Sequence, residues 1–140
     1  MNEYGKDWRV CIGDGGGTEV FTALGGETGF SFRRASAEID LSDKSSGSYG
    51  STGYGQQKLT ISVSGNLKLP DAAFSDLFAA SKASPPEIMV QIKKGSVIKF
   101  HGLVGVGNFS SEHPQTGAVT FSCDMANIGA PIVDDLTATA

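Results

Sequence analysis

The sequence has no apolar run long enough to cross a membrane, no block of like charge, and only two cysteines in 140 residues. A spanning helix needs roughly 20 consecutive apolar residues, so no membrane insertion by this chain is expected. The opening "MNEYGKDWRV" is too polar for a secretory signal, which predicts a protein made and used without secretion. A formal net charge of -4, with both signs interspersed, lacks the basic face of a general nucleic-acid binder. Cys11 and Cys123 sit far apart, each inside a strand-like run, and are expected as packed, reduced thiols rather than a bridge.

Reactive chemistry is equally scarce. His101 and His113 are the only histidines, and neither has a partner at metal-ligand spacing. "GDGGGT" (13–18) lacks the lysine and following helix of a phosphate loop and the spaced carboxylates of a calcium loop. No G-x-S-x-G elbow exists, and Asp134 and Asp135 point apart in an extended chain. No catalytic residue, no metal and no cofactor is expected; an enzyme is disfavoured.

What is present is glycine, nineteen of them, with moderate apolar content. That composition suits one all-β domain with many turns, over residues 1–140. "DWRVCIGD" alternates Trp8, Val10 and Ile12 against Arg9 and Cys11; "TEVFTAL" is a short second strand. "TGFSFRRASAEIDL" places Phe30 and Phe32 on one face, and "KLTISVSGNL" sets Leu59, Ile61 and Val63 against Thr60, Ser62 and Ser64. "EIMVQIKK", "VIKFHGLVGVGNF" and "AVTFSCDM" complete the strands. The single helix is "PDAAFSDLFAASKA", capped by Asp71, with Phe74, Leu77 and Phe78 expected to pack on a sheet.

Two features stand outside this frame. Polar rows face away from the apolar ones: Thr60, Ser62 and Ser64; Thr120, Ser122 and Asp124; Ser36, Glu38 and Asp40. They read either as ordinary solvated sheet or as a wet channel wall that DNA slides past, since short hydroxyls neither grip phosphate nor stack on bases. The segment "LSDKSSGSYGSTGYGQQ" (41–57) is long and glycine- and serine-rich, as connections are when they bind or stay disordered. Its Tyr49 and Tyr54 have no core of their own to fill and suit an interface.

The succession resembles the major tail tube proteins of long-tailed phages and gene transfer agents. The residues that carry the likeness are "YGKDWRVCIGDG", "TALGGETGFSFRRASAEIDLSDKSSGS", "LTISVSGNLK", "DAAFSDLFAASKA", "EIMVQIKKGSVIKFHGLVGVGNFSSE" and "TGAVTFSCDMANIGAP". The resemblance implies a mainly β fold: an antiparallel β-sandwich or barrel-like subunit with one flanking α-helix. It implies homo-hexameric rings stacked into a virion tail tube, assembled in the bacterial host cytoplasm. It also implies tail-tip or baseplate, tape-measure and tail-terminator partners. DNA would traverse the lumen without specific binding, past Glu38, Asp40, Thr60, Ser62, Ser64, Thr120, Ser122 and Asp124. Mobile arms at 1–6, 41–57 and 131–140 would order on assembly, with Asp43, Lys44, Ser45, Tyr49 and Tyr54 at the subunit interface. The competing reading is a monomeric β-sandwich that binds or decorates a virion, which would need an aromatic platform or metal site; the sequence offers only Trp8.

Overall fold

The computed structural model of the protein describes residues 2–13 and 20–139. The "GDGGGT" turn beyond Gly13 and the start of "TEVFTAL" lie outside the described residues.

A short 3-10 turn, Gly5–Asp7, leads into β1 (Trp8–Gly13) and β2 (Phe21–Ala23). Then come two long strands, β3 (Glu27–Asp40) and β4 (Thr52–Asn66), and the helix α1 (Ala72–Lys82). The chain continues through β5 (Glu87–Lys94), β6 (Val97–Glu112), β7 (Thr120–Asn127) and the short β8 (Val133–Asp134). All pairings are antiparallel, in the order β2-β1-β5-β6-β7-β4-β3, with β8 continuing β7's line along β6.

Alternation decides which side is dry. Val10 and Ile12, Leu59, Ile61 and Val63, Val90 and Ile92, Phe121, Cys123 and Met125 bury one face of successive strands in a single core. The sheet curls around that core: the ring of Phe32 on β3 meets that of Phe100 on β6 at 5.8 Å. At one end the carboxylate of Glu27, opening β3, accepts from the Val10 N–H on β1 at 3.3 Å. This is the barrel-like closure expected, with the sheet's two ends drawn together by side chains.

The helix covers the remaining opening. Asp71 caps it, its carboxylate accepting from the Ala73 N–H at 3.1 Å and from Gly25 N–H at 3.0 Å, so the cap also ties the helix to the turn before β3. Its fully dry stripe is Ala73, Leu77 and Ala80. Phe74 packs beside that stripe. Phe78, expected on the sheet, lies at the rim, 42 % exposed, with its ring 5.6 Å from Phe109.

Both thiols are buried and unbridged. Burial pushes Cys11 up and Cys123 up to about 12.

Two expected arms are partly built into the fold. The C-terminal segment docks along β6: Ile132 N–H donates to His101 O at 2.7 Å and Asp135 N–H to Lys99 O at 2.9 Å. Arg34 holds the Asp134 carboxylate through both oxygens at 2.6 Å. At the N-terminus Glu3 is held by Lys94 at 2.8 Å, which keeps its carboxyl below the ordinary value. The 41–57 arm is also shorter than expected, because Thr52–Gln57 belong to β4 and pair with β3. Composition concealed this: a glycine-rich stretch still extends when a paired partner supplies the ladder.

Candidate functional site

Antiparallel register places six of the expected polar residues on one surface. Ser62 lies opposite Asp124, Ser64 opposite Ser122, and Asn66 opposite Thr120, while Thr60 lies beside Ala126. The row continues onto β3 through Ser31, which faces Ser62, and onto β6 through Asn108 and Ser110, which face Asp124 and Ser122. Hydrogen bonds knit it laterally: Ser62 Oγ donates to Asp124 Oδ1 at 2.7 Å, and the Ser110 and Ser122 hydroxyls lie 2.7 Å apart. Two adjoining depressions of about 280 and 260 Å³, lined by Ser31, Ser62, Ser64, Ser110 and Ser122 among others, are hydroxyl-rich. Ser31, Asn108 and Ser110 were missed from sequence because only pairing brings them to the row.

This face carries charge of both signs. Glu112 faces Thr120, while Arg33 faces Thr60 and Lys58 faces Ala35.

Glu38 and Asp40 are not on this surface. They keep step with Phe30 and Phe32 along β3, and the irregularity between Ser36 and Glu38 skips a residue on β4, not on β3. Their side chains therefore stand on the opposite side from Ser31, the side that is core lower down the strand. Hydrogen bonds from Ser42, chiefly its backbone N–H at 2.9 Å, lower the Asp40 carboxyl.

Above the body the amphipathic pattern inverts. β7 pairs with β4 only over Thr60–Asn66, whereas β3 and β4 stay paired out to Asp40 opposite Thr52. The outer part is a two-stranded ribbon with no buried residue from 35 to 58. On one side it carries Ser36, Glu38, Asp40, Thr52 and Tyr54. The other side, continuous with the polar face below, carries Ala35, Ala37, Ile39 and Leu41. Ile39 and Leu41 lie over glycines: a Cβ on Gly53 would sit 2.8 Å from Leu41 Cδ1, and one on Gly55 3.4 Å from Ile39 Cδ1. The sequence signal was available, since odd positions are polar at Ser31 and Arg33 and apolar from Ala35 onward.

The tip, residues 41–51, is held by its own polar groups. Leu41 N–H donates to Ser51 O at 2.9 Å, Ser51 N–H to Ser42 Oγ at 2.7 Å, and Asp43 accepts from the Ser45 hydroxyl at 2.6 Å. The Ser45 bonds lower the Asp43 carboxyl. Lys44 is exposed, and Tyr49 and Tyr54 are 86 % and 67 % exposed.

At the other end of β3 a groove of about 630 Å³ opens beside the curled sheet edge, walled by Tyr4, Trp8 and Phe30 with Gly25 and Gly29 between. Glu27 lines it, bound by Arg9 at 3.2 Å, and burial raises its carboxyl above the ordinary value against the lowering pull of Val10 N–H and Arg9. Among the described residues no three metal-ligating side chains converge. His101 meets Gln91 at 3.4 Å and His113 meets Ser111 at 2.9 Å.

Residues 3–133 match the family described as phage tail tube protein. The fold is similar to that in the tail of an empty gene transfer agent particle with C6 symmetry, at 19% identity over 94% of this chain and 98% of that one, TM-score 0.74. It is also similar to a chain of the native gene transfer agent virion, at 16% identity over 93% and 97% of the two chains, TM-score 0.72. The SPP1 tail tube is similar at 16% identity over 96% of this chain and 83% of that one, TM-score 0.65. No curated protein matches the sequence.

Proposed function

The chain belongs to the phage tail tube protein family and is a structural subunit of such a tube, and from that premise we propose that its hydroxyl-rich sheet face lines the lumen through which DNA passes. Six copies form each ring, by analogy with the C6 symmetry of the gene transfer agent tail, and rings stack into the tube. The observation that carries the assignment is the row Ser31–Ser62–Asp124–Asn108 with Ser64–Ser122–Ser110 beside it, opposite an apolar core.

Short hydroxyls and mixed charges offer DNA neither a stacking platform nor a basic track, so passage is unspecific and fast. Ring closure needs a head-to-tail contact between neighbours, and the outer edge of β3, last in the sheet order, is an unpaired ladder suited to it. The ribbon and its tip, with Asp43, Lys44, Ser45, Tyr49 and Tyr54, form a second subunit contact. Tail-tip, tape-measure and terminator proteins are its partners, and the stack is built in the bacterial cytoplasm.

The test replaces Ser62 and Asp124 with lysine. Electron microscopy is expected to show tubes of unchanged width, while DNA delivery by the particle drops. Tubes that fail to assemble, or intact tubes with undiminished delivery, would mean that this face does not line the lumen.

A further inference from the structure

The ribbon presents an apolar side that leaves Ile39 and Leu41 exposed among the described residues. A two-stranded ribbon is at best marginally stable in water without a surface to pack on. Here Ile39 and Leu41, 48 % and 57 % exposed, form a ridge whose height depends on the glycines beneath them. Lys58, opposite Ala35, stands at the base of that side; beyond it Ala37, Ile39 and Leu41 follow on the same side of β3 with no polar residue between them.

The same chain carries a concave counterpart. The groove beside Trp8 has aromatic walls and a volume of about 630 Å³, within the roughly 300–1,000 Å³ of pockets that enclose a ligand-sized group. Ridge and groove sit at opposite ends of one strand. From Gly29 to Ile39 is ten residues of β3, on the order of 33 Å at a strand's rise. A convex patch and a concave patch at opposite ends of a molecule make a heterologous contact that repeats without closing, which is how a filament or stack grows. In the groove Glu3 is engaged by Lys94 and Glu27 by Arg9, while Lys6 rests against the Tyr4 ring at 5.9 Å, so the rim carries both signs and leaves the apolar walls to receive the ridge.

We infer that the Ala37–Ile39–Leu41 ridge of one copy seats in the Trp8 groove of the next copy along the tube. The seat rests on the tube reading above and adds to it the surface on each copy and the direction of stacking. It assigns the exposed apolar ridge and the unfilled groove a single occupant each.

Trp8 is the only tryptophan, so its emission reports on the groove without labelling. Wild-type protein is followed from dilute monomer to tube by fluorescence, with electron microscopy in parallel. On assembly Trp8 emission is expected to shift to shorter wavelength and to lose its quenching by acrylamide. Separately, Leu41→Cys and Gly29→Cys proteins are mixed, assembled and oxidised; no atom within 4 Å opposes a side chain at Gly29. The mixture is expected to give disulfide-linked dimers that neither protein gives alone. Tubes in which Trp8 stays as quenchable as in the monomer, or in which the mixture never cross-links, overturn the seat and point the ridge to a different tail protein. A wild-type chain that forms no tubes under any condition overturns the tube reading itself, a different result.

Discussion

Replacing residues 39–53 with Asn-Gly tests whether the ribbon serves assembly alone. Glu38 and Tyr54 face each other, so a two-residue turn closes the shortened hairpin in the geometry such turns favour. The change removes the pairs Ile39–Gly53 and Asp40–Thr52, worth about 1 kcal/mol together when exposed. Against this, an 11-residue connection (41–51) shrinks to two, for which loop closure gives about 1.5 kcal/mol in the folded state's favour, an upper figure because short turns are stiff. No residue from 35 to 58 is buried, so no core is lost. The net change in stability is therefore expected within about 1 kcal/mol, read as a urea midpoint shift of less than about 1 M. Sedimentation of the same sample is expected to show monomer where the wild type forms tubes. A stability loss well beyond that bound would mean the ribbon packs on its own body, and undiminished tube growth would remove it from assembly altogether.

Two further outcomes follow from the body. A Cβ on Gly26 would lie 1.7 Å from Asn66 O, the residue whose N–H donates to Gly26 O at 2.8 Å; Gly26→Ala is expected to cost about 2–4 kcal/mol in urea unfolding. Gly29→Ala on the same strand has open space and is expected to stay within about 1 kcal/mol of wild type; equal losses would refute the steric account. For Glu27 the folded carboxyl is raised above its ordinary 4.5 by burial, so the native state keeps a proton that the unfolded chain has released. Its contribution is greatest below that value and declines as pH rises through the folded one. Glu27→Gln is expected to flatten this decline in midpoints measured across pH, and parallel curves for both proteins would refute it.

Much of the fold was legible because burial imposes a period. Leu59, Ile61 and Val63 announced β4, and Asp71 announced the helix start, since alternation and capping are local rules. The polar face was half legible: Ser62 and Asp124 were identified singly, but Ser31, Asn108 and Ser110 needed register, which depends on partners far off in sequence. Glu38 and Asp40 share the side of Phe30 and Phe32, as counting by twos along β3 requires, and so stand off that face. The ribbon reads as a mobile linker in sequence because glycine and serine mask strand propensity. What extends Thr52–Gln57 is the partner strand. The groove was not legible at all, being the gap left where a curling sheet brings Trp8, Glu27 and Phe30 together.

The two sequestered sulfurs bear on how a finished particle ages. With the Cys123 thiol up to about 12, thiolate at neutral pH is scarcer than thiol by a factor of roughly 10⁵, and thiolate is the species that oxidants attack. Peroxide or dissolved oxygen thus finds little thiolate at Cys123, and burial both raises and shields the Cys11 thiol. At these two positions longevity rests on packing.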